Sequence, residues 1–368
     1  MKVSTLHIGL VGPLPPPFGG MANQTRQLAR LLREEGATVE LIQVNATYRP
    51  TWIGGIRGVR AIFRLLPFLV HLWQAAGNVQ LFHIMANSGW AWHLYAAPAI
   101  WIARFRGKPV IINYRGGEAE TFFQKAFFWV KPSLCHTQAI IVPSGFLEAV
   151  FGKRGFFTHI VPNIIDLSRF FTESNERDAD REKEKFPHII VTRNLEPIYD
   201  NATALRAFCL VKNAYQNAHL TIAGSGPERQ MLEDLVTELA LNDAVTFTGR
   251  IDNDCMARLY RSADMMVNAS LVDNMPISIL EALASRVPVV STEAGGIPYL
   301  VTHGKTALLV PLQDSIAMSH AILRLLKDHD LTQSLMKKGF ESIQNYTWPN
   351  VKVRLMQVYA NVLNQAKS

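Results

Sequence analysis

Two carboxylates eight positions apart, Asp273 and Glu281, bracket the segment Asn274-Met275-Pro276-Ile277-Ser278-Ile279-Leu280. Pro suits a helix start because no N–H is required of it there, and the spacing predicts a helix over 279–284. Glu281 then lies near the first turn, where its carboxylate can accept two ribose hydroxyls. Asp273 precedes the turn and can grip the hydroxyls of a sugar, while the free N–H groups between them suit an anion. The plainer explanation is that acids near a helix start complement its dipole. Two glycine pairs add phosphate-type chemistry. Gly19-Gly20, in the turn-rich stretch 13–20, stand between an apolar run and a helical pattern, where backbone N–H groups can approach an anion. Gly224-Ser225-Gly226 also lie between a strand and a helix. Position 229, where a dinucleotide fingerprint places its third glycine, is Arg, which argues against a dehydrogenase; tight strand–helix packing explains the pair equally well.

Such groups must be carried on strand ends. Short apolar runs at 8–12, 39–44, 81–84, 109–113, 139–143 and 159–162 alternate with helical patterns such as 24–35, where Leu28, Leu31 and Leu32 recur at helical spacing and Gly36 ends the run. A charge-dense stretch, 172–185, reads as a solvated linker. Strands at 188–191, 219–223, 245–247, 265–268, 287–290 and 307–310 then alternate with helices at 202–211 and 227–239. Two such series predict two doubly wound α/β domains, Rossmann-like, with ligands at the carboxyl ends of the strands. The expected division is 1–166 and 167–346, with a C-terminal helix at about 347–368 packing back on the first domain.

The 368 residues exceed one ordinary core, and 48% hydrophobic against 18% charged residues excludes a disordered chain. A net charge of +7 suits anionic partners. Cys135, Cys209 and Cys255 are odd in number and widely spaced, predicting reduced, mostly packed thiols. No leader is read at the N-terminus, and Arg64, Pro67 and His71 interrupt one apolar stretch, His93 and Pro98 another, so neither is predicted to span a bilayer. A cytoplasmic protein is expected.

The segments also match a family in order. Asp273 to Glu281 resembles the E-x7-E motif of the family 4 retaining glycosyltransferases of GT-B fold. Val161 to Phe170 resembles their "PNGVD…RF" segment, and Thr192-Arg193-Asn194-Leu195-Glu196 their "GRL…E". Gly224-Ser225-Gly226-Pro227, Phe247-Thr248-Gly249, and Gly295-Gly296-Ile297-Pro298 followed by Leu309-Val310-Pro311 complete the set across nearly the whole chain. The resemblance implies two Rossmann-like domains facing across a cleft and metal-independent transfer from a nucleotide-sugar donor, UDP-linked by analogy, to a glycan or lipid-linked acceptor. It implies that Arg193 clamps the diphosphate, a task suited to a permanently charged fork. Glu281 would hold the ribose, and backbone at Gly249 and Arg250 would read the base. Gly20, beside Gly19, would approach the diphosphate or sugar, and Asn274, Met275, Pro276 and Ile277 would surround the donor sugar and phosphate.

Three positions depart from the family. Asp273 is one methylene shorter than the usual Glu. The usual diphosphate Lys after Arg193 is replaced in the stretch Ile198-Tyr199-Asp200, and Asp200 would repel a diphosphate. Arg115 stands where many members carry His; it cannot be a general base but can neutralise phosphate. His83, at a strand end, reads as structural. Asp178-Ala179-Asp180 and Asp252-Asn253-Asp254 look like metal-binding pairs but are expected to be linker and helix cap, so no metal site is predicted. Basic and aromatic residues interleave over 52–73 and 121–131, a pattern for an anionic membrane surface, here the inner face of the plasma membrane, or for packing on the sheet. No nucleic-acid motif accompanies the charge. The rival readings are a GT-B nucleotide-sugar epimerase and a non-catalytic nucleotide-sugar-binding subunit.

Overall fold

The computed structural model describes residues 3–16, 19–48, 59–170 and 186–366. The linker stretch 172–185, with Asp178 and Asp180, and the N-terminal part of the 52–73 stretch lie outside them. The chain divides into two compact units, Met1–Ile164 with Trp348–Ser368, and Ile165–Thr347.

The N-terminal unit is built on a six-stranded parallel sheet. Its strands are β1 (His7–Gly12), β2 (Thr38–Gln43), β3 (Leu81–Ala86), β4 (Val110–Tyr114), β5 (Ala139–Val142) and β6 (His159–Ile160), in the order β2-β1-β3-β4-β5-β6. Every residue of β3, β4 and β5 is buried, as a strand covered on both faces requires. On one face pack α2 (Val59–Asn78), α3 (Ala97–Phe105, entered through a π-helical turn at Trp92–Ala96), α4 (Ala119–Leu134) and α5 (Gly145–Gly152). The other face takes α1 (Gly20–Glu34) and the C-terminal helix Trp348–Gln365. The two are tied at Glu35, which accepts from Trp348 Nε1 at 3.0 Å and Lys352 Nζ at 2.8 Å. α1 begins four residues before the expected start because Ala22 also faces the core, and it ends before Gly36, whose φ of +93° suits glycine.

The C-terminal unit has α6 (Leu167–Phe170), then β7 (His188–Val191), α7 (Asn201–Ala214), β8 (His219–Ala223), α8 (Arg229–Glu238), β9 (Val245–Gly249), α9 (Asn253–Ser262), β10 (Met265–Asn268), α10 (Ile277–Ala284), β11 (Val289–Thr292), α11 (Ile297–Leu300) and β12 (Leu308–Val310). Helices α12 (Ser315–Lys327) and α13 (His329–Ile343) close it, and α14 denotes the C-terminal helix of the first unit. Its parallel sheet runs β12-β11-β10-β7-β8-β9. Counted within the unit, that is the doubly wound order 3-2-1-4-5-6, whose switch point lies between β7 and β10. In the first sheet the corresponding reversal lies between β1 and β3.

Two local expectations change. Helix α10 starts at Ile277 rather than 279, with Pro276 as its cap at φ −65° and ψ 120°; Glu281 therefore sits one turn in, not in the first turn. Cys135 is exposed rather than packed. Among the described residues no helix is long and apolar enough to cross a membrane.

Candidate functional site

In the C-terminal unit the residues singled out from the sequence stand at one end of the sheet, on loops leaving the carboxyl ends of adjacent strands. Arg193 follows β7; Asp273 to Ile277 follow β10 and lead to Glu281 on α10. Gly224 and Gly226 follow β8, while Gly249 ends β9 and leads to Arg250. Arg193 and Asp273 thus flank the switch point, where doubly wound sheets leave a crevice.

Arg193 is held from three sides. One terminal nitrogen pairs with the Asp273 carboxylate, the other donates to Ser278 Oγ at 3.3 Å, and the guanidinium lies 4.0 Å from the centroid of the Tyr199 ring. Both partners of the ion pair are only 12% exposed. Burial raises the Asp273 carboxyl, opposed by the Arg193 guanidinium and by the backbone N–H groups of Asn274 and Met275. Those amides are the anion-facing groups expected of this turn; here they meet the chain's own carboxylate. Arg193 Nε is buried without a hydrogen-bond partner among the described residues.

Glu281 is joined to the same cluster through Tyr260. The Tyr260 hydroxyl lies 3.2 Å from Glu281 Oε2, 3.0 Å from the Ser278 carbonyl oxygen and 2.7 Å from Thr192 Oγ1. Burial pushes Glu281 up to about 7, against the lowering effects of the Tyr260 hydroxyl, Arg169 and Arg193. Tyr260 and Ser278, to which the sequence assigned no role, thus connect the cation to the second carboxylate. The missed signal was positional: Ser278 lies inside the motif, and Tyr260 follows Ala257 by three on the buried face of α9.

The glycines owe their place to close approach. A Cβ at Gly224 would collide with the Arg193 carbonyl oxygen and one at Gly226 with that of Leu195; at Gly296 it would collide with the Asn274 carbonyl. The Gly296 N–H also donates to the Asp273 carbonyl at 2.7 Å. These glycines press the neighbouring loops onto the two segments that carry the ion pair. Asn274, Met275 and Pro276 are buried and Ile277 partly so, whereas Arg250 is exposed. Asp200, the acid expected to repel a diphosphate, caps α7, accepting from Thr203 N at 3.3 Å and Thr203 Oγ1 at 2.7 Å. Asp252 caps α9 through the amides of Asp254 and Cys255.

In the N-terminal unit, Gly19 and Gly20 follow β1 beside its own reversal point. Gly19 is extended, at φ −169°, with open space around its Cα, so neither positive φ nor packing demands glycine there. Arg115 leaves β4 and closes a buried relay. Its Nε donates to Asn113 Oδ1 at 2.6 Å, and a terminal nitrogen donates to Asn163 Oδ1. Because Asn113 Oδ1 faces the guanidinium, its Nδ2 donates to His83 Nε2 at 2.9 Å, leaving His83 Nδ1 to donate to the Tyr359 hydroxyl at 2.7 Å. Burial, then Arg115, pulls His83 down to about 3, so it is neutral; burial brings Arg115 to about 10, still a cation at neutral pH.

Sequence profiles of two families cover most of the chain: glycosyltransferase family 4 over residues 18–169 and glycosyl transferases group 1 over 172–342. N-acetyl-alpha-D-glucosaminyl L-malate synthase of Bacillus anthracis is 26% identical over 63% of this chain and 58% of its own length. Sucrose-phosphate synthase of Thermosynechococcus elongatus shares the fold at a TM-score of 0.79 and 21% identity, over 98% of this chain and 100% of that one. Anabaena HepE, solved with UDP and glucose, does so at 0.76 and 16%, over 96% and 99%. Three curated relatives are matched over only 37%, 58% and 33% of their length. With both profiles matched in order and both sheets of GT-B type, the chain belongs to the family 4, group 1 glycosyltransferases.

Proposed function

We propose that this protein transfers a sugar from a nucleotide-diphosphate donor, UDP-linked, to a lipid-linked or growing glycan acceptor of cell-surface polysaccharide or glycoconjugate synthesis, with retention at the anomeric carbon. The observation that carries the reading is Arg193, a largely covered guanidinium fixed at the switch point by Asp273, Ser278 and Tyr199. Diphosphate would take up the Arg193 fork, including its Nε–H, together with the amides of Asn274 and Met275. Glu281 would accept ribose hydroxyls as a carboxylate, and Gly249 and Arg250 would border the base. Asp273, released in part from Arg193 by the phosphate, would face sugar hydroxyls beside Pro276 and Ile277. UDP is favoured by the nucleotide bound in the Anabaena neighbour.

In the reaction the bond from the anomeric carbon to the phosphate oxygen breaks, and the acceptor oxygen bonds that carbon on the same face. The acceptor proton passes to the departing phosphate oxygen. No side-chain base is then needed, and the developing phosphate charge would rest on Arg193 and helix amides, without a resident metal. Gly19 and Gly20 would let the backbone approach the donor. We also place the protein in the cytoplasm, peripheral at the inner face of the plasma membrane.

The test is titration calorimetry with UDP, GDP and ADP, followed by assay of UDP release from UDP-sugars with and without an acceptor panel in EDTA. UDP bound most tightly, and released only with acceptor, supports the reading. Tighter GDP or ADP binding overturns the base, sugar inversion without release supports an epimerase, and loss of turnover in EDTA overturns the metal-free route.

A further inference from the structure

The helical layer of the N-terminal unit carries an apolar surface that its own core does not use. In α2, Phe68, Leu72, Ala75 and Ala76 face the sheet and are buried. On the opposite side Ile62, Leu66, Val70 and Trp73, spaced by four, four and three, are each half or more exposed. A helix apolar on both sides is expected to be covered on both. α3 touches both α2 and α4 and ends in Phe105, 75% exposed, between the exposed Arg104 and Arg106. α4 adds Phe128 and Trp129, 79% and 70% exposed, with Lys125 and Lys131 also in solvent. The Arg106 guanidinium lies 4.8 Å from the centroid of the Trp73 ring, joining the basic and aromatic elements of two helices.

Charge is distributed to match. From Leu41 to Gly117, 77 consecutive residues contain no Asp or Glu and eight Lys or Arg. The rest of the chain holds 29 basic against 30 acidic residues, so the whole net positive charge belongs to the segment that supplies α2 and α3. The acid nearest in sequence on α4, Glu120, is engaged by Lys153 at 3.3 Å.

We infer that the α2–α3–α4 face docks on an anionic phospholipid bilayer, lying along the headgroup boundary. Apolar side chains would enter the acyl edge while the cations meet lipid phosphates. No described helix can cross, and the apolar stripe lies along α2 rather than around one end of it, which suits an interfacial pose. This deepens the membrane part of the proposed function and is independent of the donor site.

Sedimentation of the full chain with two vesicle types tests it: phosphatidylcholine alone, and equal parts phosphatidylcholine and phosphatidylglycerol. The protein should pellet with the anionic vesicles and be released by raised salt. Arg106→Ala and Lys125→Ala should each lower partition about fivefold, and Leu66→Glu with Val70→Glu should abolish it. Tyr299→Glu, an exposed aromatic of the other unit, should change nothing. Circular dichroism melting and UDP titration of each variant separate a lost surface from a lost fold and from a failed donor reading. Equal pelleting with both vesicle types, or none with either, overturns the proposal. So does self-association that the Glu pair dissolves without any vesicle binding, which would assign the face to a second copy.

Discussion

The two sheets put different chemistry behind similar frames. Both are parallel and six-stranded, and in each the side to which successive strands are added switches once. Beside its reversal the C-terminal unit buries an ion pair, Arg193 with Asp273, beside a second carboxylate whose proton binds near neutral pH. The N-terminal unit buries a relay in which histidine is held neutral and the single cation, Arg115, is bonded to two amide oxygens. That unit also carries the stretch 41–117, which contains no carboxylate. A guanidinium held by a carboxylate can exchange it for phosphate, whereas Arg115 is held by the amide oxygens of Asn113 and Asn163.

The sharpest way to break this contrast is Arg193→Ala. It should lower transfer roughly 100- to 1,000-fold, and by leaving Asp273 buried and unpaired it should destabilise the fold by about 3–5 kcal/mol, read from denaturant unfolding beside turnover. Arg115→Ala removes a cation bonded to the Asn113 and Asn163 amide oxygens, and activity should suffer more than stability. A melting loss equal to that of Arg193→Ala would erase the distinction.

Glycine substitution separates the units next. Gly296→Ala, or Gly224→Ala, forces a Cβ into the backbone of the ion-pair loops and should cost about 1–3 kcal/mol and weaken UDP binding by calorimetry. Gly19→Ala meets open space and should leave melting nearly unchanged, exposing any role in ligand approach as a pure loss of affinity.

Two pH effects follow, of opposite sign. For His83, lowered from 6.5 to about 3, the unfolded chain binds the proton more readily. Its contribution is full above about 6.5 and is lost as pH falls toward 3; His83→Gln should flatten that acid limb of the stability curve. For Glu281, raised from 4.5 to about 7, the native state holds the proton more tightly, so stability contributed below 4.5 is lost as pH rises to about 7. Nucleotide affinity should rise over that same approach to 7, because ribose hydroxyls donate to a carboxylate. Glu281→Gln should abolish the affinity trend, the smallest of these effects; a trend that persists would remove Glu281 from the ribose.

Strand runs such as Met265 to Asn268, and the motif from Asp273 to Glu281, were legible because a strand buried on both faces must be apolar and a helix start restricts what precedes it. Two alternating series of that kind gave the fold class, and the ordered motifs gave the family. The start of α10 lies two residues before the expected one, directly after its cap Pro276. What Asp200 does was also hidden: capping α7 occupies the charge that the sequence alone placed against a diphosphate. So was the relay from Tyr359 through His83 to Arg115, whose first and last members in the chain, His83 and Tyr359, lie 276 positions apart.

Local pattern determined which segments are strands and helices, because burial and backbone geometry act over a few residues. Only the tertiary structure decided which distant polar groups meet, that Arg193 is shared between Asp273 and Ser278, that His83 stays neutral, and that α2 leaves an apolar side in solvent. Those outcomes depend on burial and on distances between segments far apart along the chain, which no local pattern encodes.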